Sequence, residues 1–344
     1  MSRRALTLLV AGIGAAVLAV TGAVLPVPYV VLSPGPTINT LGTYQHNKQL
    51  IQITGHKVYP TTGHLNLVTV SFRGGPGDEI NLYTALRGWL TPHDAVVPQE
   101  ELFGTSTNVQ QVQRENVQEM ASSQEAATAA ALCELNISFQ TVTTVTQTEK
   151  VMPAAGVLRS GDVITAVDGR RPSCRSTVAQ MISKRSPGTS VALTIVRKGS
   201  TRTVRLATRS HRGKAAIGVY VSQRYTFPFK VQIKVGDIGG PSAGMMFALG
   251  LVDKLSKDDL TGGRFIAGTG EIDADGNIGA IGGIQQKMVG ARDQGATIFL
   301  APANNCPDVR GAVPAGLRVI KVSTLSGAVA DLLALKESKP VPSC

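Results

Sequence analysis

The chain has 344 residues, 43% hydrophobic and 17% charged, which excludes a disordered polymer and leaves room for two domains with cores of their own. The formal net charge is +11, yet the basic residues are scattered, with no long Lys/Arg run and, at 4% aromatics, no basic strip interleaved with rings. That distribution argues against a nucleic-acid partner and for a solvated basic surface near anionic lipid or cell-wall polymer.

Met1-Ser2-Arg3-Arg4 is a short basic flank, and residues 5–25 carry no charge. About 20 apolar residues cross a hydrocarbon core of roughly 30 Å. The pattern predicts a single-pass anchor over 5–25 behind a cytoplasmic stub, 1–4. Arg3 and Arg4 stay inside, so the rest of the chain is extracytoplasmic, at the cell membrane. A cleaved signal peptide is the rival, but the run is long for one and no small-residue cleavage site stands out. Pro26 and Pro28 end the helix.

Ser33-Pro34-Gly35-Pro36 reads as a linker. Residues 50–70 read as β structure, with Leu65, Leu67 and Thr69 alternating against Asn66, Val68 and Val70. A stretch over 107–133 is polar and then Ala-rich; its later part, QEMASSQEAATAAALCEL at 118–135, predicts a helix that buries Met120, Ala127 and Ala131. From about 137 to 208, Val142, Val145, Val163, Ile164, Val167, Val191, Leu193 and Ile195 mark short strands, with a short helix at 176–183 between them. From about 215 strands and helices alternate. Strands are expected at 217–221, 230–235, 265–267 and 297–301, and helices after Ser242 and over 284–293.

The four cysteines, Cys133, Cys174, Cys306 and Cys344, permit disulfides outside the membrane. Three pairings exist in principle; proximity along the chain favours Cys133–Cys174 and Cys306–Cys344. No CxxC or Cys/His cluster has metal-ligand spacing, and no cofactor is expected.

Chemistry concentrates in Gly239-Gly240-Pro241-Ser242-Ala243-Gly244. Met245, Leu249 and Val252 follow at i, i+4, i+7, so Ser242 stands at or just before a helix N-terminus. Unpaired N–H groups and the helix dipole favour negative charge there, such as an oxyanion. Gly239, Gly240 and Gly244 would let a substrate backbone approach. By itself the serine is as well explained as an N-cap. A phosphate loop is not supported, since GxxxxGK[ST] is absent, and GxSxG is absent too.

A nucleophilic serine needs a base. The five histidines, His46, His56, His64, His93 and His211, all lie outside the 242–306 segment. Lys287 is the nearby candidate. On a helix over 284–293 it neighbours Ile284, Met288 and Ala291, and an apolar pocket without a carboxylate partner lowers a lysine pKa. Most helix lysines are instead solvated. Asp273-Ala274-Asp275-Gly276 reads as a turn rather than a calcium loop, since the EF-hand spacing is missing.

Two family resemblances organise these pieces. Gly156-Val157-Leu158-Arg159-Ser160-Gly161-Asp162-Val163-Ile164, followed by Val167-Asp168-Gly169, resembles a PDZ domain of bacterial exported proteases. It implies a peptide-binding groove beside the helix at 176–183; the plainer reading is a small β domain that only spaces or packs. GPSAG at 240–244, TGEI at 269–272, IGGIQQK at 281–287 and the following GARDQGATIFLAPANN resemble, in order and spacing, the proteolytic domain of Lon-type serine proteases. This resemblance implies Ser242 as nucleophile, Lys287 as its base, and Thr269 holding the lysine by a hydroxyl hydrogen bond. Gly240 and Gly244 are supporting residues. TGHLNLVTV at 62–70 and MASSQEAATAA at 120–130 look like the same domain's first hairpin and helix.

The expected fold is therefore α+β. A Lon-type protease domain (40–133 and 215–336) carries an inserted PDZ domain (137–208) behind one transmembrane helix. The expected function is ATP-independent serine endopeptidase activity on extracytoplasmic or membrane-proximal segments, in a possible homo-oligomer. No Walker motif precedes the protease segment, so substrates should be unstructured, exposed or already cleaved. The acidic residue usual three places before the serine is replaced by Gly239, with Asp237 five before, which leaves a carboxylate role open. Two other readings are an inactive PDZ scaffold at the cell surface and a basic envelope-binding protein.

Overall fold

The computed structural model describes residues 3–44, 48–104, 108–236 and 238–344. His46, Asp237 and the first residue of the polar stretch at 107–133 lie outside them. In chain order the main elements are α1 (Arg3–Val24), β1 (Tyr29–Asn39), β2 (His64–Arg73), α2 (Leu82–Leu90), β3 (Ala95–Pro98), α3 (Val109–Glu134), β4 (Gln140–Thr148), β5 (Val163–Val167), α4 (Val178–Ser183), β6 (Ser190–Arg197), β7 (Ser200–Ala207), β8 (Val219–Thr226), α5 (Gly244–Leu255), β9 (Phe265–Gly268), α6 (Ile284–Asp293), β10 (Ile298–Pro302), β11 (Arg318–Val322) and α7 (Leu325–Lys336).

The helix α1 is long and apolar enough to cross a membrane. Beyond it lie two units, each with a core. In the larger, a mixed six-stranded sheet has the order β11-β10-β9-β2-β1-β3. Pairing is parallel from β11 to β2 and antiparallel from β2 through β1 to β3. Both faces are covered, and the two-residue period of the strands sorts side chains between them. Leu65, Leu67, Ile266 and Leu300 pack with α3, α5 and α7, whereas Val68, Ala267 and Phe299 pack with Ile284, Met288 and Ala291 of α6. The alternation expected over 65–70 is thus real, with the polar-looking side also buried: Asn66 is 5% exposed.

The segment expected as a linker, 33–36, lies inside β1. The register of β1 on β2 shifts between Pro34 and Thr37, and such a bulge tolerates prolines that cannot donate to the ladder. Here the backbones of three elements meet. A Cβ on Gly35 would come within 2.6 Å of the Thr69 carbonyl oxygen, and one on Gly290 of α6 within 2.7 Å of the Gly35 carbonyl oxygen. Small residues are therefore needed to seat α6 on the sheet.

The smaller unit is a five-stranded antiparallel sheet of order β7-β6-β5-β4-β8, closed over Val145, Ile164, Leu193, Ile195 and the α4 residues Val178 and Ile182. Strand β8 pairs along β4, so this sheet continues to Thr226, past the boundary at 208 expected from the sequence. Strand β8 follows the rest of the unit in sequence, next to the 230–235 strand, but pairs with a strand at the unit's start, from Val219 on Thr148 to Thr226 on Gln140. Asp162 anchors the unit: its carboxylate accepts from Arg197 at 2.6 and 2.7 Å and from the Arg159 N–H at 2.8 Å, which holds its pKa below the ordinary carboxylate value.

The cysteines pair Cys133–Cys174 and Cys306–Cys344. The first ties the end of α3 to the smaller unit, and the second ties the C-terminal tail back beside β10. With separations of 41 and 38 residues, each contributes roughly 4 kcal/mol in the chain-entropy account.

Candidate active site

Ser242 and Lys287 come from opposite faces of the six-stranded sheet. Ser242 precedes α5, and Lys287 lies on α6. They meet where β9 ends and the chain leaves the sheet at Thr269-Gly270.

Four hydrogen bonds build the corner. The Ser242 carbonyl oxygen accepts from the Gly270 N–H at 2.8 Å and from Thr269 Oγ1 at 3.0 Å. Lys287 Nζ lies 3.1 Å from Ser242 Oγ and 3.2 Å from Thr269 Oγ1. Thr269 is thus shared, donating to the serine backbone and accepting from the lysine.

Local sequence explains each placement. Gly283 precedes α6 at φ +65°, a left-handed conformation suited to glycine, and a Cβ there would stand 2.9 Å from Val70. This starts α6 close against β2 and turns Lys287 inward. Gly244 begins α5, where a Cβ would meet Ser123 Oγ at 2.7 Å and Ile272 Cγ2 at 2.8 Å. Gly244 is fully buried, so its role is close packing of α5 against α3, not the approach of a substrate backbone expected from the sequence. Gly240, at φ +82°, has open space where a Cβ would be. Ser123 of α3, not singled out in the sequence, donates to the Pro241 carbonyl oxygen at 3.0 Å and braces the turn before Ser242. The Ala-rich half of α3 was visible, but nothing local marked this serine among its polar neighbours.

Lys287 is 3% exposed. Burial lowers its pKa from 10.5 to about 8, while the charge of Glu271 pulls the other way. Among the described residues no carboxylate forms a salt bridge with Lys287; Glu271 acts only through its charge, opposing deprotonation. A second buried lysine provides a contrast. Lys254 of α5 donates to the Leu41 carbonyl oxygen at 3.0 Å and to Gln49 Oε1 at 3.2 Å, and it faces neither serine nor cleft. Among the described residues no histidine is hydrogen-bonded to Ser242; His64 stacks on Phe265, and the His93 carbonyl oxygen accepts from Gln286 Nε2 at 3.2 Å.

A cleft of about 450 Å³ opens beside Pro241, lined by Glu115, Glu119, Ser123, Glu271 and Ile272 among others. Burial and the nearby Glu119 raise the Glu271 pKa, with Lys287 opposing. Beyond it, Asp273 accepts from the Asn277 N–H at 2.8 Å and from Asn277 Nδ2 at 2.8 Å, which closes the expected turn. Among the described residues no group of His, Cys, Asp and Glu could hold a metal.

The smaller unit has its own groove, about 590 Å³, between α4 and the 215–221 segment. Val178, Ala179 and Ile182 form one wall, and Ile217, Gly218 and Val219 the other. Gly218 sits at φ +71°, and a Cβ there would meet Met152 Cβ at 2.1 Å. Beside it, β8 is an edge strand. This loop was not identified from the sequence; a glycine between apolar residues at the start of a strand was its only signal.

Residues 189–335 match the family described as Lon protease (S16) C-terminal proteolytic domain, and residues 110–208 match the PDZ domain family. The matches overlap over 189–208, where β6 and β7 belong to the five-stranded sheet. Lon protease 1 of Sorangium cellulosum is 34% identical over 146 residues, 41% of this chain and 18% of that protein. Lon protease of Heliobacterium modesticaldum is 36% identical over 107 residues, 30% of this chain and 12% of that protein. The chain thus spans under a fifth of the length of these curated relatives. Among solved structures, the PDZ domain of an SdrC-like protein from Listeria innocua is 22% identical, with 23% of this chain and 92% of that one covered, at a TM-score of 0.22. The chain contains a Lon protease (S16) C-terminal proteolytic domain together with a PDZ domain.

Proposed function

We propose that the protein is an ATP-independent, membrane-anchored serine endopeptidase with Ser242 as nucleophile and Lys287 as general base. The observation that carries this reading is the Lys287 ammonium nitrogen, buried without an ion pair, 3.1 Å from Ser242 Oγ. A pKa of about 8 leaves a usable neutral fraction near neutral pH. Neutral Lys287 takes the Ser242 hydroxyl proton as Oγ attacks the peptide carbonyl. It then returns that proton to the departing amine as the C–N bond breaks, and water hydrolyses the acyl-enzyme. Among the described residues the Ser242 and Ala243 N–H groups have no acceptor, and they are the donors offered to the oxyanion. Thr269 positions the lysine.

In this reading the protease domain is split, with the five-stranded unit inserted between α3 and α5, and α1 holds the catalytic unit outside the membrane. The edge strand β8 and the groove beside α4 favour an extended peptide added to the sheet, from a substrate or a regulator. No GxxxxGK[ST] motif occurs in the 344 residues, and the substrates proposed are polypeptides already exposed or unstructured.

The test is cleavage of an unstructured protein by purified Ser242→Ala and Lys287→Ala chains. Both should be inactive with unchanged circular dichroism. Full activity in either overturns the assignment.

A further inference from the structure

The helix α2 is inverted relative to an ordinary surface helix. Its sheet-facing residues are small, Ala85 and Gly88, and a Cβ on Gly88 would stand 2.9 Å from both Val31 and Val96. Its large apolar residues point outward: Leu82, Tyr83, Leu86, Trp89 and Leu90 are 39–84% exposed. At i, i+1, i+4, i+7 and i+8 they share one face, and Arg87 is the basic residue in the last turn. A contiguous apolar face with a tryptophan and a tyrosine is costly in water and characteristic of a partner surface.

The structure also says what lies beside that face. Strand residues Pro26 and Val27, directly after α1, pair with Ile80 and Asn81, directly before α2. Asn81 Nδ2 donates to the Ala23 carbonyl oxygen at 3.0 Å, and the Tyr83 hydroxyl donates to that of Ala19 at 3.1 Å. Gly22, the one buried residue among those described in α1, lies under the Tyr83 ring. With 22 residues at about 1.5 Å each, α1 is roughly 33 Å long, close to the thickness of a hydrocarbon core. Ala19 precedes its end by five residues, about 7.5 Å. Interfacial helices bury their apolar face by about 5–10 Å, with aromatic residues at the headgroup level.

We infer that α2 lies on the outer face of the bilayer crossed by α1, with Leu86, Trp89 and Leu90 among the acyl chains and the Arg87 guanidinium at the headgroups. This rests on the anchor reading above. It makes the contact with lipid two-point, so the catalytic unit does not swing freely on its tether. The Gln286–His93 hydrogen bond links the turn after α2 to the residue next to Lys287, so the proposed site is held near the membrane. Membrane-proximal segments are the substrates within its reach.

Trp89 is the single tryptophan, which makes its emission a direct readout. The full chain is incorporated into phosphatidylcholine/phosphatidylglycerol vesicles in which part of the lipid is brominated near the headgroup end of the acyl chains. Co-flotation, strong quenching of Trp89 by brominated lipid and protection from acrylamide are expected. The Leu86→Glu/Leu90→Glu chain should still float through α1, lose the lipid quenching and hydrolyse a short soluble peptide at the parental rate. A chain that floats with Trp89 unquenched by lipid and open to acrylamide overturns the inference alone. Trp89 shielded from both quenchers also overturns it, in favour of a protein covering α2. Failure to float overturns the anchor as well.

Discussion

Replacing Lys287 with methionine preserves much of the side-chain length and deletes the ionisable nitrogen, so it tests burial through stability rather than rate. Burial lowers the lysine pKa from 10.5 to about 8. That difference disfavours the folded state by roughly 3 kcal/mol wherever both states are protonated. Between those two values the unfolded chain holds the proton and the folded chain does not, so the parent gains stability as pH rises across that window. The penalty is fully present below it. Methionine escapes the penalty but forfeits the hydrogen bonds to Ser242 and Thr269, about 1 kcal/mol each. The variant should therefore be inactive, yet more stable than the parent by about 1 kcal/mol near neutral pH; at about pH 9.5, where only about 1.4 kcal/mol of the penalty remains, the two lost hydrogen bonds outweigh it and the variant should be slightly the less stable of the two. Urea unfolding of both chains in the same detergent at the two pH values measures this, provided the slopes agree. A variant less stable by the same amount at both pH values would refute the reasoning, because the folded protein would then carry that charge without penalty.

In the proposed mechanism the same pKa governs rate, with the opposite use of protons. Hydrolysis should rise with pH around a midpoint of about 8, and Glu271→Gln, which removes the charge favouring protonated Lys287, should move that midpoint down; an upward move counts against the electrostatic assignment. Thr269→Val deletes the hydroxyl shared by Lys287 and the Ser242 carbonyl, and is expected to lower kcat by about tenfold with little change in KM. Loss of substrate affinity alone would place Thr269 in binding instead. Gly244→Ala forces a methyl against Ser123 and Ile272 and should destabilise the fold by about 1–3 kcal/mol, read as an earlier unfolding midpoint; a neutral result would mean that α3 and α5 can separate.

What could be read from the chain was whatever local patterning expresses. The helix over 284–293 declares itself through Ile284, Met288 and Ala291 on one face, and Ser242 through its glycine frame and the helix behind it. The disulfide pairs follow their spacing. Hidden features depend on contacts between distant segments. Ser33-Pro34-Gly35-Pro36 has every mark of a linker until β2 and α6 press on it, and then its lack of donors and side chains is what the packing requires. Gly244 looks like room for a substrate until Ser123 occupies that room. Strand β8 leads into the 230–235 strand and yet completes the other sheet, because its neighbour there, β4, stands at the opposite end of that unit's sequence.

The split origin of the proposed dyad has a consequence for biogenesis. Ser242 is fixed by the layer of α3 and α5, and Lys287 by the layer of α6, with the sheet between them. Until both layers have closed, the lysine is hydrated and keeps its proton, and the serine has no base. In this reading the proposed dyad is assembled only by the last packing step, so acquisition of activity and completion of the fold are the same event.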